Sequence, residues 1–309
     1  MKYSLGAAAV LVIAFLTALS GVNEYFFYAA FVVLQFMVLA TAWNILGGYA
    51  GYVNFGTAAF FAIGSYTAVV LFKWLGAPLM MQIAAAAAVS GLLGFGVGLL
   101  TLRLRGIFFA IATVAIIFIM ETVMMNWRYV GGATGLQLLR PDVLQPFASY
   151  TRMLFFVMAV LAIIAVSVAR YVQISWIGRG LRAIRDSEEA AECSGVPTLK
   201  LKLFACTVSG ALMGAAGAPM PMYLSFIEPA SSFSLNYSVS ALAMPMIGGT
   251  VHWLGPVIGA LLLGSIQQIV TVTISSEINV LVIGVLLVLF VVFAPDGVLG
   301  LFRKFMRRS

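Results

Sequence analysis

The chain has 309 residues and a formal net charge of +7, with 63% hydrophobic residues and 9% charged residues. An average soluble domain is about one quarter charged. So few charges cannot cover the surface of a soluble globule, and this class of protein is excluded. The positive residues stand at the ends of apolar stretches and form no continuous face. That distribution argues against nucleic acid as a partner and is typical of a membrane topology signal.

Apolar stretches of the length needed for a transmembrane helix recur along the chain. Such a helix needs about 20 mostly apolar residues, and the sequence predicts about ten of them within one transmembrane domain, residues 1–309. The predicted spans are 4–22, 25–46, 55–73, 79–102, 106–127, 152–172, 203–224, 236–251, 256–275 and 278–294. Glycine, asparagine or proline interrupts 55–73 and 236–251, where we expect broken or re-entrant helices. The predicted fold class is an all-α polytopic bundle.

The first predicted span also has features of a cleavable signal peptide. Lys2 precedes its apolar run, and the stretch Ala18-Leu19-Ser20 supplies small residues near its end. We favour a retained span, and the mass of the mature protein distinguishes the two interpretations.

Basic residues between the predicted spans indicate the orientation. Four clusters are separated by even numbers of spans, so all four lie on one side, which the positive-inside rule makes the cytoplasm. These clusters are Lys2; Arg103 and Arg105; Arg170, Arg179, Arg182, Arg185, Lys200 and Lys202; and Arg303, Lys304, Arg307 and Arg308. Both termini are then cytoplasmic. The loop with Arg128, Arg140 and Arg152 falls on the opposite side, although Asp142 lies among these arginines.

Residues that could hold a cofactor or carry out catalysis are scarce. No lysine follows a glycine, so the chain has no Gly-Lys-Ser/Thr phosphate loop with which to bind ATP. His252 is the only histidine, which excludes a His-Glu-x-x-His zinc site. Cys193 and Cys206 lie near the predicted cytoplasmic side, and we expect packing residues rather than a disulfide. We predict no catalytic site, no metal site and no cofactor bound by this chain.

Polar residues and glycines in the apolar segments are candidates for a translocation path. Paired glycines precede further glycines near both ends of the chain, and interrupted segments in corresponding halves are a mark of transporters. Glu121 is the one carboxylate inside a firmly predicted span, where its charge costs about 3 kcal/mol. The candidate path residues are Asn44, Gly48, Asn54, Thr57, Glu121, Gly248 and Gly249. Close helix packing by the glycines and hydrogen bonds between helices are the alternative roles.

A long charged segment, residues 173–202, interrupts the apolar sequence and is predicted to be a cytoplasmic loop. Within it, Asp186-Ser187-Glu188-Glu189 has the spacing of a capping box, with Asp186 as N-cap and Glu189 at the third helical position. A helix of about two turns should follow and end at Gly195 in the left-handed conformation, before Pro197. Isolated helices below about 12 residues are marginal in water, so this one needs a surface on which to pack.

This segment resembles a known family motif. The run Gly178-Arg179-Gly180-Leu181-Arg182-Ala183-Ile184-Arg185-Asp186, followed by Glu189-Ala190-Ala191 and Gly195, is similar to the EAA-type loop of ABC importer permeases. The resemblance is closer to the LivM-type permeases of branched-chain amino acid importers, because further blocks match in order. These blocks are 43–51, 102–113 and 255–260.

The resemblance implies a non-catalytic permease subunit in a bacterial inner membrane. Its implied partners are a related LivH-like permease, two cytoplasmic ATPases that use ATP and Mg²⁺, an extracytoplasmic solute-binding protein and membrane lipid. The implied contacts of the coupling helix with an ATPase are Arg182, Arg185, Asp186, Glu188, Glu189, Ala190, Ala191 and Gly195. The implied solute is a branched-chain amino acid.

Three segments, 52–57, 131–136 and 250–254, depart from the family pattern, and this leaves the solute open. Other small amino acids, urea, small amides and organic acids are alternatives within the same importer class. The broken-helix pattern supports a different alternative, a secondary transporter or channel that works without ATPases.

Overall fold

The computed structural model describes residues 2–19, 23–104, 106–138, 147–273, 276–293 and 297–300, and this part of the chain is predominantly helical. The helices are α1 (Lys2–Leu19), α2 (Glu24–Ala50), α3 (Thr57–Leu75), α4 (Leu79–Thr101), α5 (Ile107–Asn126), α6 (Tyr150–Ile174), α7 (Trp176–Asp186), α8 (Glu188–Cys193), α9 (Thr198–Gly217), α10 (Met220–Leu224), α11 (Pro229–Ser232), α12 (Leu235–Gly248), α13 (Leu254–Thr273) and α14 (Ser276–Phe293). Two 3-10 turns, Arg128–Val130 and Gly132–Thr134, follow α5. The strands β1 (Leu136–Gln137) and β2 (Phe226–Ile227) form one short antiparallel pair.

Each of the ten predicted spans coincides with one of these helices, or with the pair α9 and α10, so the all-α polytopic fold class is confirmed. By length and composition, seven helical segments of the described chain are able to cross a membrane, with α9 and α10 counted together. The seven are α2, α3, α4, α5, α6, α9–α10 and α13. The helix α12 has 14 residues and is shorter than a full span.

The predicted helix breaks lie partly in the wrong place. The helix α3 is continuous through Gly64. The glycine instead allows close packing, since a side chain there would strike the backbone of Gly214 in α9. The break occurs instead between α9 and α10. Pro219 and Pro221 have no backbone N–H with which to continue the hydrogen-bond ladder of α9, so the helix ends before them.

The helix α2 forms the centre of the bundle. It has 27 residues, is buried without interruption from Met37 to Ala50, and packs on α6, α9, α12 and α13. The helices α4 and α9 also pack closely, because Gly91 and Gly94 of α4 bring its backbone near Cys206 and Ala211 of α9. Small residues allow such contacts where no hydrophobic force drives helices together in lipid.

The two ends of the bundle differ. The short helix α8 lies at the end where α2, α4 and α6 finish and α5, α9 and α13 begin; we call it the α8 end. At the opposite end, the α11 end, the start of α2 meets α10, and the strand pair joins the α5–α6 connection to α10. Candidate functional residues are found at both ends.

Candidate functional site

The helix α8 confirms the predicted two-turn helix, but its cap is displaced by one residue. Asp186 is not the N-cap, because α7 continues through it. Ser187 has extended backbone angles (φ −163°, ψ 112°), and its Oγ accepts a hydrogen bond from the backbone N–H of Ala190 at 3.4 Å. Gly195 is left-handed as predicted, with φ +80°. Its N–H donates to the carbonyl of Glu192 at 2.9 Å and completes the end of the helix.

A buried ion pair fastens α8 to the bundle. The Nζ of Lys202 in α9 lies 2.6 Å from Oε1 of Glu188, and the two side chains are 4% and 13% exposed. Lys202 also donates to the carbonyl of Leu102, just after α4, at 3.1 Å. The hydroxyl of Tyr52, just after α2, accepts from Lys202 at 3.1 Å and donates to Oε2 of Glu188. One buried network therefore links α8 to the ends of α2, α4 and α9.

The preceding helix α7 adds a second attachment. Its buried side chains Leu181 and Ile184 pack toward α2, α6 and α9. Arg185 donates from Nη1 to the carbonyl of Gly48 at 3.1 Å, close to the end of α2. The Nε of Arg182 donates within α7, to the carbonyl of Gly178 at 3.2 Å.

Seven of the eight predicted coupling residues divide into two sets, and the eighth, Arg182, is partly buried and hydrogen-bonds within α7. Arg185, Glu188 and Ala191 make contacts with the bundle or are turned toward it. The exposed set consists of Asp186, Glu189, Ala190 and Gly195. One side of α7–α8 is thus held by the bundle, while the other side remains accessible.

Four predicted path residues meet at the α8 end. Asn44 is fully buried and donates from Nδ2 to the carbonyl of Thr250 at 3.1 Å. Gly48 packs against the side chain of Asn44 and against the same carbonyl. Gly248 and Gly249 place the end of α12 directly against the Gly255 backbone at the start of α13. Gly249 has φ +110°, which a residue with a side chain rarely adopts. The contacts of these glycines are close backbone packing, and their role in a path stays a prediction.

Asn54 lies in the turn between α2 and α3, and Thr57 is the first residue of α3. The Oδ1 of Asn54 accepts from the N–H of Gly56 at 2.7 Å, so its side chain stabilises that turn. Thr57 is buried, and its hydroxyl finds no hydrogen-bond partner within the described residues. The Oδ1 of Asn44 also finds none there, so these two path candidates have unused hydrogen-bonding capacity.

Glu121 is separated from the other path candidates. It lies on α5, eight positions after Thr113, whose hydroxyl accepts from the N–H of Phe55 at 3.1 Å. Eight helical residues rise about 12 Å, which places Glu121 well toward the α11 end. The helix α5 packs on α3, α4 and α11, whereas Asn44 belongs to the α2–α12 contact.

A depression at the α11 end contains residues that the sequence analysis did not select for the path. Its volume is about 300 Å³, and its lining consists of Val32, Gln35, Phe36, Met220, Ser231, Ser234, Asn236 and Tyr237. Gln35 is 1% exposed and donates from Nε2 to the carbonyl of Ala216 at 3.4 Å. The ring of Tyr237 lies 6.0 Å from Phe36 and 4.6 Å from Phe61 between centroids. The amide of Gln35 interrupts an otherwise apolar stretch of α2, residues 29–40, and this was the signal for it.

Comparison with known proteins agrees with this architecture. The family model described as the permease component of branched-chain amino acid transport systems matches residues 25–291. The chain belongs to this permease family. The match extends from the first turn of α2 into α14 and includes α7 and α8. No solved structure matches the permease.

Individual relatives agree with the family. The permease is 27% identical over 293 residues to the high-affinity branched-chain amino acid transport permease protein LivM of Salmonella typhimurium, covering 87% of this chain and 68% of the relative. It is 26% identical over 294 residues to LivM of Escherichia coli, with the same coverage. It is also 25% identical over 275 residues to a probable LivH of Methanocaldococcus jannaschii, covering 82% and 85% of the two chains. The LivM-type resemblance is confirmed.

Proposed function

We propose that this permease is the transmembrane subunit of an ATP-binding cassette importer. It forms half of the translocation path for a branched-chain or other small amino acid, beside a related LivH-like permease. The proposal places it in a bacterial inner membrane with both termini and the α8 end in the cytoplasm. The observation that carries the proposal is the attachment of α8 to the ends of α2, α4 and α9 through the buried Glu188–Lys202 pair.

The two sides of α7–α8 suit the transmission of movement between proteins. An ATPase groove contacts the exposed set, which includes Glu189, Ala190 and Gly195. The ATPases bind ATP and Mg²⁺, and their closure displaces α8. Because Glu188 is held in a buried network, α8 carries the ends of α4 and α9 with it instead of sliding over them. Rigid-body motion of packed helices around a site is a common form of such switching.

The displacement reaches the path at the α8 end of α2. Arg185 connects α7 to the carbonyl of Gly48, near the contact between Asn44 and Thr250 that holds α2 to the α12–α13 turn. At the other end of α2, the depression beside Gln35 is the proposed outer entrance. A binding protein on the extracytoplasmic side delivers the solute there.

The lining of the entrance supports an amino acid with an apolar side chain. All eight lining residues are uncharged, and they combine the rings of Phe36 and Tyr237 with the amides of Gln35 and Asn236. The rings accept apolar surface, while amides and hydroxyls hydrogen-bond the ammonium and carboxylate of a zwitterion. A solute with a net charge would meet no residue of opposite charge in this lining.

Reconstitution tests the function. The permease is placed in liposomes with the second permease, the ATPases and the binding protein encoded beside it, and radiolabelled leucine uptake is measured with and without ATP. We expect uptake only with ATP and all subunits. Leucine flux through the permease alone would instead establish a secondary transporter or channel. Isothermal titration calorimetry of the binding protein identifies the solute independently.

A paired substitution tests the coupling surface. Replacing Glu189 and Gly195 together, as Glu189→Arg with Gly195→Glu, is expected to abolish uptake and ATPase co-purification while membrane insertion persists. The matched control is Ala133→Arg, an exposed position at the α11 end. Normal co-purification of the ATPases with the doubly substituted permease would contradict the proposed contact.

A further inference from the structure

A cavity of two joined parts lies at the α8 end, and of the residues predicted for coupling or for the path only Arg182 lines it. One part is an apolar groove of about 740 Å³ formed by α1, α2, α6 and α13. The other is a polar depression of about 400 Å³ at the ends of α6 and α7 and in the turn before α13. Arg170 and Trp253 line both parts, so the groove opens directly into the depression.

The groove has the length of a lipid chain in one leaflet. Along α6 its lining runs from Ala159 to Arg170, eleven residues further on, which corresponds to a rise of about 16 Å. The hydrocarbon core of a bilayer is about 30 Å thick, so the groove covers about half of it. Val10 of α1, Leu34 of α2 and Leu261 of α13 complete walls that offer no hydrogen bond to a ligand.

The depression carries positive charge at the α8 end of the groove. Arg170 and Arg182 line it, and no carboxylate is among its lining residues. The guanidinium carbon of Arg170 lies 5.7 Å from the centre of the Trp253 ring. Tryptophan is enriched at membrane–water interfaces, and the planar guanidinium matches the geometry of a phosphate. Within the described ranges, Arg182 forms no ion pair, so its charge is available to an anion.

We propose that this cavity binds one anionic glycerophospholipid of the leaflet at the α8 end. Arg170 and Arg182 hold its phosphate, and an acyl chain fills the groove between α1 and α13. The joining of an apolar groove to a positive depression favours this occupant. A free phosphate leaves the groove empty, and an apolar helix of a partner permease brings no negative charge to Arg170 and Arg182. Arg182, which the family resemblance implies as an ATPase contact, is assigned here to the lipid instead.

The bound lipid supports a particular part of the permease. The turn at Val251–Trp253 is held by Gln173, whose Nε2 donates to the Val251 carbonyl at 2.8 Å and whose Oε1 accepts from the Trp253 N–H at 3.1 Å. A lipid on Arg170 and Trp253 therefore braces the contact of α6 with the turn before α13. The carbonyl of the preceding residue, Thr250, accepts the hydrogen bond from Asn44.

Native mass spectrometry of the full chain in mild detergent tests the headgroup contact. The added probes are dioleoylphosphatidylglycerol, dioleoylphosphatidylcholine and the soluble headgroup glycerophosphoglycerol. We expect one phosphatidylglycerol to bind at least about tenfold more tightly than phosphatidylcholine, and each lost guanidinium contact to weaken it about tenfold. The variant is Arg170→Gln with Arg182→Gln, and the control is Arg179→Gln, an exposed arginine of α7 outside the cavity. If the double variant does not fold, Arg182→Gln alone decides the outcome.

A second pair of variants tests the groove. Val166→Phe fills it and should weaken phosphatidylglycerol binding about tenfold, whereas Ile164→Phe on the exposed side of α6 should not. Equal binding of both lipids, an equal effect of Arg179→Gln, or equally tight binding of glycerophosphoglycerol would each overturn the proposal. So would a disulfide in the assembled importer between Val166→Cys and a cysteine introduced into the second permease, because the groove would then be a subunit interface.

Discussion

Lys202 shows how a charged residue can be kept inside this bundle. An ammonium that is nearly removed from water is costly unless its hydrogen bonds are satisfied. Lys202 meets three oxygen acceptors: a carboxylate of Glu188, the carbonyl of Leu102 and the hydroxyl of Tyr52. These partners belong to three separate segments of the chain, so the network holds those segments in one arrangement.

Removing the ammonium should expose the dependence of Glu188 on it. Lys202→Met leaves a carboxylate buried without its cation, and we expect a loss of about 3–5 kcal/mol of stability. The measurement is the thermal unfolding midpoint in detergent. Lys200→Met, at an exposed position two residues earlier, is the control and should change little. Glu188→Gln together with Lys202→Met should recover much of the loss. A Lys202→Met protein as stable as the parent would show that Glu188 needs no cation.

The sequence could not reveal this network. Glu188 and Lys202 are 14 residues apart, and the turn at Gly195–Pro197 that brings them together is set by backbone geometry. Tyr52 is 150 residues from Lys202. Local spacing predicted the helix and its glycine end, because caps depend on neighbours in sequence. Contacts between distant segments depend on the packing of whole helices.

The cap of α8 is displaced because the sequence did not predict the helix α7 that precedes it. The sequence predicts a cytoplasmic loop over residues 173–202 that contains one short helix with Asp186 as its N-cap. The 11-residue helix α7 occupies this segment and gives Asp186 helical backbone, which makes Ser187 the first residue able to cap α8. The spacing of Ile177, Leu181 and Ile184 is that of one helical face and was the available signal.

The two capping assignments make opposite predictions. Ser187→Ala removes the acceptor for the N–H of Ala190 and should cost α8 about 1 kcal/mol of local stability. Asp186→Ala leaves that hydrogen bond in place. Hydrogen exchange of the peptide containing residues 187–196 is the measurement, and we expect about fivefold faster exchange only for Ser187→Ala. Faster exchange in Asp186→Ala alone would restore the assignment made from the sequence.

The other end of α8 depends on a glycine. A side chain at Gly195 meets no atom within 4 Å, so the cost of Gly195→Ala arises from its φ of +80° and not from a clash. We expect a loss of about 1 kcal/mol, and a smaller loss for Gly195→Asn, since asparagine tolerates this conformation better. Gly96→Ala in α4 is the matched control, with equally open space and ordinary helical geometry. It should be neutral or stabilising in the same thermal unfolding assay, and an equal loss in both alanine variants would contradict the argument.

Across the whole molecule, hydropathy predicted the positions of the apolar helices well, because bilayer thickness imposes a length that local composition reveals. It did not predict which glycines break a helix. Gly64 lies inside a continuous helix because the α9 backbone at Gly214 packs against it. The paired Gly248 and Gly249 end α12 against the start of α13. A glycine has the same local signal in both settings, and only the neighbouring helix distinguishes them.

The predicted orientation has one apparent exception to the positive-inside rule, the arginines from the end of α5 to the first turn of α6. Arg152 is neutralised there, since its Nε lies 2.8 Å from a carboxylate oxygen of Glu24 at the start of α2. This pair belongs to the α11 end, opposite α8. At the α8 end, residues 170–202 contain six basic and four acidic residues, and the positive-inside rule associates such an excess with the cytoplasm.

Labelling with a membrane-impermeant maleimide tests that orientation, and the chain provides its own probe. Cys193 of α8 is exposed, whereas Cys206 is buried. In spheroplasts we expect Cys193 to react only after permeabilisation, while a cysteine introduced as Ala133→Cys at the exposed α11 end reacts at once. Cys193→Ser supplies the background from Cys206. Reaction of Cys193 in intact spheroplasts would place α8 outside the cell, where no ATPase could drive it, and would reverse both the topology and the coupling proposed for this permease.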